Sequence, residues 1–207
     1  MVLNKFDNEE KIIGKKLYDY QHGAIDKIFQ RIQENPNQYN LLYQLPTGGG
    51  KTVIFSEIAR QYIDSNHHKV LILTHRIELS KQTSNMLTEF GVKNKIIDSS
   101  VKEVTNEGKY SCFVAMVETL NNRIIENKAE LDDIGLVIVD EAHYNSFRKL
   151  FKHFERCFIL GVTATPLSSN INLPMHDIYQ DLIVGEKITS LIEKGFLAKA
   201  DVYSFNV

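Results

Sequence analysis

The 207-residue sequence contains no tryptophan, only four prolines and only two cysteines. Cys112 and Cys157 lie far apart among apolar neighbours, so their spacing excludes a cysteine metal site and a redox motif. We interpret both as small core residues. The sequence also has no internal repeat and no low-complexity stretch, which argues against a repeat architecture.

An excess of charge of one sign is also lacking. The sequence has 24 Lys and Arg against 26 Asp and Glu, giving a net charge of −2 and a pI of about 6.4. This balance excludes a generally basic nucleic-acid binder, so any such contact would be local. Residues 1–10 are too polar for a signal peptide, and no apolar run is long enough to cross a bilayer. We expect a cytoplasmic protein without a membrane partner.

The apolar pattern predicts one α/β domain that covers residues 1–207. Short apolar runs alternate with segments of helical periodicity, which is typical of a mostly parallel sheet with helices on both faces. The predicted helices are 20–33, one that begins at residue 51, 77–90, 117–127 and 188–194. The predicted strands are 40–45, 70–73, 95–97, 112–115, 136–139, 157–162 and 202–207. We therefore expect a sheet of at least six strands.

A glycine-rich loop follows the first predicted strand. Residues 44–52 read Gln-Leu-Pro-Thr-Gly-Gly-Gly-Lys-Thr, and a helical pattern begins directly after them. Glycines let backbone N–H groups converge on phosphates, while Lys and Thr add a cation and a metal-binding hydroxyl. A Walker A loop has Gly where Leu45 stands, and a glycine-rich hairpin or linker is the alternative. The predicted nucleotide contacts are Thr47, Gly48, Gly49, Gly50, Lys51 and Thr52.

Two carboxylates follow the apolar strand predicted at 136–139. Strands of this kind bind ligands at their carboxyl ends, where Asp140 and Glu141 stand. In phosphoryl transfer from a glycine loop, a Ser or Thr and a strand-end carboxylate hold Mg²⁺. We assign the metal to Thr52 and Asp140, and the activation of water to Glu141. The alternative is that the acidic residues cap a helix.

Five segments together resemble a known family, the superfamily 2 helicases of the DEAH-box type. In chain order they are 17–21 (LYDYQ), 50–52 (GKT), 73–82 (LTHRIELSKQ), 140–143 (DEAH) and 161–166 (GVTATP). The chain is similar to the N-terminal RecA-like lobe of that family. It resembles the RadD-like, XPB-like and restriction-enzyme motor groups equally. The fold implied by the resemblance is a RecA-like P-loop NTPase domain.

The resemblance implies further roles for single residues. Gln21 would read adenine and Tyr18 would stack on it, although many relatives have Arg at this position. His143, Thr163 and Thr165 would couple the nucleotide state to movement between lobes. The predicted contacts to a nucleic-acid strand are Arg76 and Thr119, although the family commonly has Pro before a Thr-Arg pair where this chain has Thr74-His75-Arg76.

The resemblance also implies that this chain contains half of a motor. A second RecA-like lobe, which would supply arginine fingers, is not in the sequence. We expect ATP and Mg²⁺ as cofactors and nucleic acid as partner, DNA in preference to RNA, with Lys51, Asp140 and Glu141 as the catalytic residues. The isolated lobe should be nearly inactive. Two alternatives stay open: an ATP-clamped nucleic-acid sensor that does not unwind, and a P-loop enzyme unrelated to nucleic acids, such as a small-molecule kinase.

Overall fold

A computed structural model describes residues 16–105 and 108–199 of the chain. Within these ranges it has six α-helices and seven strands. The helices are α1 (Asp19–Glu34), α2 (Lys51–Asn66), α3 (Ile77–Glu89), α4 (Val117–Ile125), α5 (Arg148–Phe151) and α6 (Ile188–Glu193). The strands are β1 (Tyr39–Gln44), β2 (Lys69–Thr74), β3 (Asn94–Ile97), β4 (Cys112–Met116), β5 (Ile134–Asp140), β6 (Phe158–Thr163) and β7 (Asp181–Val184).

The seven strands form a single sheet in the order β3-β4-β2-β5-β6-β1-β7. All of the pairings between these strands are parallel. The central strands are continuous apolar runs because both faces of the sheet are covered. Successive residues of one strand therefore face different halves of the core. The predicted α/β architecture with a parallel sheet of six or more strands is confirmed.

The core has one half on each face of the sheet. On one face, Ile72 of β2 and Ile138 of β5 belong to a buried cluster that includes residues of α1, α2 and α3. On the other face, Leu73 and Val139 belong to a second cluster, with residues of α4 and α5. Helices on both faces were predicted, and the two clusters confirm them. The carboxyl edge of the sheet is thereby left between two layers of helices.

The predicted elements lie within one or two residues of the observed ones. The strand β7, from Asp181 to Val184, extends the sheet beyond β1. The strand predicted at 202–207 lies outside the described residues. Cys112 and Cys157 are both buried, as interpreted from the sequence. Among the described residues, no helix combines the length and apolarity needed to span a membrane.

Strand order brings together the two segments that were singled out in the sequence. The glycine loop follows β1, and the paired carboxylates end β5. Only β6 lies between these strands, and Thr163 is its last residue. Because parallel strands point the same way, all three strands end at one edge of the sheet. The candidate site is therefore centred on the carboxyl end of β6.

Candidate functional site

The backbone conformation of the glycine loop would be strained with residues other than glycine. Gly48 and Gly50 have φ angles of +80° and +84°, in the left-handed region. A Cβ on Gly49 would lie 2.9 Å from Cγ of Leu45. Leu45 is completely buried, and its N–H donates to the carbonyl of Thr163 at 3.0 Å. Leu45, the departure from the Walker A pattern, therefore anchors the loop in the core.

The loop leads directly into the amino terminus of α2. Gly50 is the N-cap residue, and the helix begins at Lys51 and runs for 16 residues. The first backbone N–H groups of a helix have no partner within it, and the helix dipole favours an anion there. Lys51 and Thr52 add their side chains to this first turn. The arrangement is chemically suited to a polyphosphate.

Lys51 and Glu141 face each other across the end of β6. The Lys51 Nζ lies 3.9 Å from Oε1 of Glu141 and 3.5 Å from the carbonyl oxygen of Leu45. The Lys51 side chain is only 10% exposed. Glu141 has a φ angle of +54°, which is uncommon for a residue with a side chain. A strained backbone of this kind is frequent where a side chain must be aimed at a ligand.

Asp140 is the buried carboxylate of the pair and is 6% exposed. Burial and, secondarily, the negative charge of Glu141 raise the pKa of Asp140 to about 6. The charge of Lys51 and the Glu141 N–H, which donates to Asp140 Oδ1 at 3.0 Å, act in the opposite direction. A bound cation would relieve this unfavourable ionisation.

The residues present fit Mg²⁺ better than a metal held by protein ligands alone. Among the described residues, no three His, Cys, Asp or Glu side chains gather around one point. Mg²⁺ commonly binds one or two protein oxygens and completes its shell with phosphates and water. Thr52 and Asp140 supply oxygens of this kind beside the glycine loop.

His143 connects the carboxylates to the end of β6. Its Nδ1 lies 3.0 Å from Thr163 Oγ1 and 3.4 Å from Glu141 Oε2. Thr163 Oγ1 in turn donates to the carbonyl of Thr165 and accepts from its N–H, at 3.0 and 3.1 Å. The structure thus joins the three residues that were predicted to couple lobes. A continuous chain of contacts therefore runs from Glu141 through His143 and Thr163 to Thr165.

Gln21 lies against the glycine loop. It is 3% exposed, and its Oε1 accepts the N–H of Tyr18 at 2.9 Å. Its Nε2 is 2.5 Å from the position that a Cβ on Gly50 would take. The neighbouring Tyr20 hydroxyl donates to the carbonyl of Gly49 at 2.9 Å. The start of α1 therefore supports the loop, in addition to any contact with a base.

Arg76 and Thr119 lie away from these residues, on the other side of β5. They are near the amino termini of α3 and α4, which follow the paired strands β2 and β4. Arg76 is exposed and Thr119 is half-buried. Two helix amino termini and a guanidinium at one edge of a sheet form a surface that suits a phosphate backbone. The structure thus separates this surface from the glycine loop.

Several residues at the site carry little signal in the sequence. The His75 ring packs on Tyr144, and Tyr144 packs on His143, with both pairs of ring centroids 4.2 Å apart. Phe196 packs on Tyr18, with 4.4 Å between the ring centroids. An aromatic residue directly after Gly195, at the end of a helical pattern, was the only signal for Phe196 in the sequence.

The chain is similar to one protein family and to several known proteins. The family described as type III restriction enzyme, res subunit (ResIII), matches residues 14–168. The ATP-dependent helicase IRC3 of Saccharomyces cerevisiae is 36% identical over 171 residues, which are 72% of this chain and 23% of the relative. Helicase POLQ-like of Homo sapiens is 29% identical over 142 residues, 62% of this chain and 12% of the relative. The chain therefore spans less than a quarter of either relative.

Solved structures share the fold. The type ISP restriction-modification enzyme LlaGI, in complex with a DNA substrate mimic, gives a TM-score of 0.63 at 18% identity, over 88% of this chain and 21% of that one. The UvsW helicase of bacteriophage T4 gives a TM-score of 0.63 at 19% identity, over 83% of this chain and 62% of that one. At these identities the likeness concerns the fold alone.

Proposed function

The chain belongs to the type III restriction enzyme res subunit family of superfamily 2 helicases, and on this premise we propose that it is the ATP-binding lobe of a nucleic-acid-dependent ATPase. With a second RecA-like lobe, it would couple ATP hydrolysis to movement on DNA or RNA. The observation that carries this proposal is the approach of Lys51 Nζ to within 3.9 Å of Glu141 Oε1, at the end of β6. The Lys51 ammonium group suits a phosphate, and the Glu141 carboxylate suits the attacking water.

In this proposal the glycine loop and α2 hold the nucleotide. The N–H groups between Gly48 and Thr52 donate to the β- and γ-phosphates, and Lys51 turns from Glu141 to the γ-phosphate. Thr52 and Asp140 would hold Mg²⁺, which would supply positive charge beside the phosphate oxygens. The ionised form of Asp140 is the one that this role requires. These contacts position the γ-phosphate over the end of β6.

Glu141 then acts as the general base. Once Lys51 is drawn to the phosphates, the Glu141 carboxylate is free to accept a proton from water in line with the γ-phosphate. His143, at 3.4 Å, holds this carboxylate in place. Through its contact with Thr163, His143 also passes the state of the nucleotide to Thr165. Thr165 is then the coupling point for the second lobe.

The second lobe and the nucleic acid complete the proposed machine. An arginine finger from the second lobe would stabilise the charge on the transferred phosphoryl group. Arg76 and Thr119 would hold the sugar-phosphate backbone of a strand on the surface formed by α3 and α4. We favour DNA over RNA as this strand. The near-neutral net charge of the lobe supports a local contact of this kind.

Hydrolysis measurements on two forms of the protein test the proposal. A two-lobe protein, which contains this lobe and a second RecA-like lobe, should hydrolyse ATP faster when single- or double-stranded nucleic acid is added. Residues 1–207 alone should stay close to background, because an arginine finger contributes roughly 10³ to 10⁵ in rate. The Glu141→Gln variant defines that background, and light scattering checks for self-association.

Each outcome of these measurements has a definite meaning. Robust stimulated turnover by a monomeric 207-residue lobe would contradict the need for a second lobe. Failure of nucleic acid to change ATP affinity or turnover in the two-lobe protein would favour a P-loop enzyme of another class. ATP-dependent binding without strand displacement or translocation would identify a sensor rather than a motor.

A further inference from the structure

The turn that follows α6, residues 195–197, has a well-defined geometry. Gly195 has a φ angle of +75° and reverses the chain at the end of the helix. The N–H groups of Phe196 and Leu197 both donate to the carbonyl of Leu191, at 2.8 and 3.1 Å. Leu191 is completely buried. The post-α6 turn is therefore anchored to the core and holds its two apolar side chains in fixed positions.

Both side chains contact the candidate nucleotide site. The Phe196 ring lies 4.4 Å from Tyr18 and 5.2 Å from Tyr20, measured between centroids. Leu197 Cδ2 lies 2.8 Å from the position that a Cβ on Gly48 would take. One short turn thus contacts the start of α1 and the glycine loop together, although it lies far from both in the sequence.

Strand order places this turn at the base end of the nucleotide. The carboxylates that face the γ-phosphate end β5, and the glycine loop follows β1, so the triphosphate extends from β1 towards β5 across β6. The base must then lie on the opposite side of β1, towards β7 and α6. Tyr18, Tyr20 and Phe196 cluster on that side.

The ring distances decide how a base can be bound. A base sandwiched between Tyr18 and Phe196 would separate their centroids by roughly twice a stacking distance, but the two rings are in direct contact. Tyr18 is nevertheless 52% exposed, so part of its ring is open to a ligand. A purine can therefore stack on Tyr18 without displacing Phe196.

We propose that Phe196 is a positioning residue of the base site, which supports the Tyr18 ring while the purine stacks on the exposed part of that ring. Leu197 contributes by holding the turn against Gly48. This inference rests on the proposed binding of ATP and adds a residue from outside the five family-like segments. Stacking accepts any base, so Phe196 strengthens binding, while the choice of base is left to Gln21.

Calorimetric titrations of the 207-residue chain with ADP, GDP and inorganic tripolyphosphate test the inference. Phe196→Ala should weaken ADP and GDP binding by the same factor, about threefold to tenfold as expected for one aromatic pair. Tripolyphosphate affinity should not change, because it has no base. Phe196→Leu should give a smaller loss of ADP and GDP affinity. Because leucine keeps the turn packed, this variant serves if the alanine variant unfolds. Phe151→Ala truncates another partly buried Phe, which lies in α5 and packs against the second core cluster, and it should change none of the three affinities.

The outcomes separate this inference from the function on which it rests. If the unaltered chain binds neither ADP nor tripolyphosphate, the proposed function fails. If it binds ADP and Phe196→Leu binds ADP equally well, the role of Phe196 is wrong and the proposed function stands. An equal loss of ADP and tripolyphosphate affinity would also overturn the inference, because it would show a general structural effect.

Discussion

The Nζ of Lys51, the first residue of α2, lies 3.9 Å from the Oε1 of Glu141, the residue that follows β5. In the proposed function, the cation that would bind phosphate thus lies beside the carboxylate that would activate water. Because Lys51 and Glu141 have different proposed roles, we expect substitutions at the two positions to have different effects.

Lys51→Ala should weaken ATP binding strongly, because it removes a cation from the phosphates. Glu141→Gln should keep ATP affinity or raise it, since Lys51 loses its alternative partner, and should block hydrolysis in the two-lobe protein. Calorimetry on the lobe and phosphate release by the two-lobe protein measure the two effects. A Glu141→Gln variant that loses ATP as severely as Lys51→Ala would contradict the roles assigned to both residues.

Gln21→Ala should affect both the base preference and the stability of the lobe. The amide of Gln21 can pair with adenine but not with guanine, so the lobe should prefer ADP to GDP by roughly one to two orders of magnitude. The variant should lose most of that preference. It should also lose about 1–3 kcal/mol of stability, because the N–H of Tyr18 loses its partner.

Gln30→Ala is a matched control on the same helix. Gln30 is exposed, and its side chain donates to Glu34 Oε1. It lies nine residues after Gln21, about two and a half helical turns along α1. In competition titrations, this variant should keep the ADP and GDP affinities of the unaltered lobe. In thermal melting, it should keep the same melting temperature. Equal affinity of the unaltered lobe for the two nucleotides would mean that Gln21 only supports the loop.

Asp140→Asn should stabilise the free lobe at high pH. The folded pKa of Asp140 is raised to about 6 from 3.8, so the folded state binds more protons than the unfolded state between these values. The unaltered lobe therefore loses stability as the pH rises from about 4 to above 6. Asn does not ionise and should lack this loss, giving an advantage on the order of 1–3 kcal/mol at pH 8 and little at pH 4.

Denaturation at several pH values measures this difference. Asp132→Asn, at an exposed carboxylate before β5, is the matched substitution for comparison. The Asp140→Asn variant should at the same time lose Mg²⁺-dependent ADP binding, because it lacks the anionic oxygen. If Asp140→Asn is less stable than the unaltered lobe at pH 8, the Asp140 carboxylate contributes to folding and does not lower stability for the sake of function.

Gly50→Ala should damage the glycine loop. The φ angle of +84° disfavours any side chain, and the new methyl group would lie 2.5 Å from Gln21 Nε2. We expect a loss of stability of about 1–3 kcal/mol and a loss of most ADP affinity. Gly23→Ala is the control, since Gly23 is in α1 with open space around its Cα. That change should stabilise the lobe by about 0.5–1 kcal/mol. Unchanged ADP affinity in Gly50→Ala would contradict the role of the loop.

The sequence by itself determined the local elements and the order of the motifs. The apolar runs of β2 and β5 and the helical spacing of α2 and α3 depend on neighbouring residues, so their pattern indicated strand and helix to within two residues. Three glycines before Lys51 also indicated a phosphate loop, because this conformation depends on the backbone alone. The apolar run at 136–139 placed Asp140 and Glu141 at the end of a buried strand for the same local reason.

Only the tertiary structure decided how distant segments meet. Leu45 anchors the loop through Thr163, Gln21 lies against Gly50, and Phe196 packs on Tyr18, and each contact joins residues from different elements. Periodicity records which side of an element is apolar, but it does not record which element will cover that side. Strand order settles this, because it places β6 between β1 and β5 and places β7 on the other side of β1.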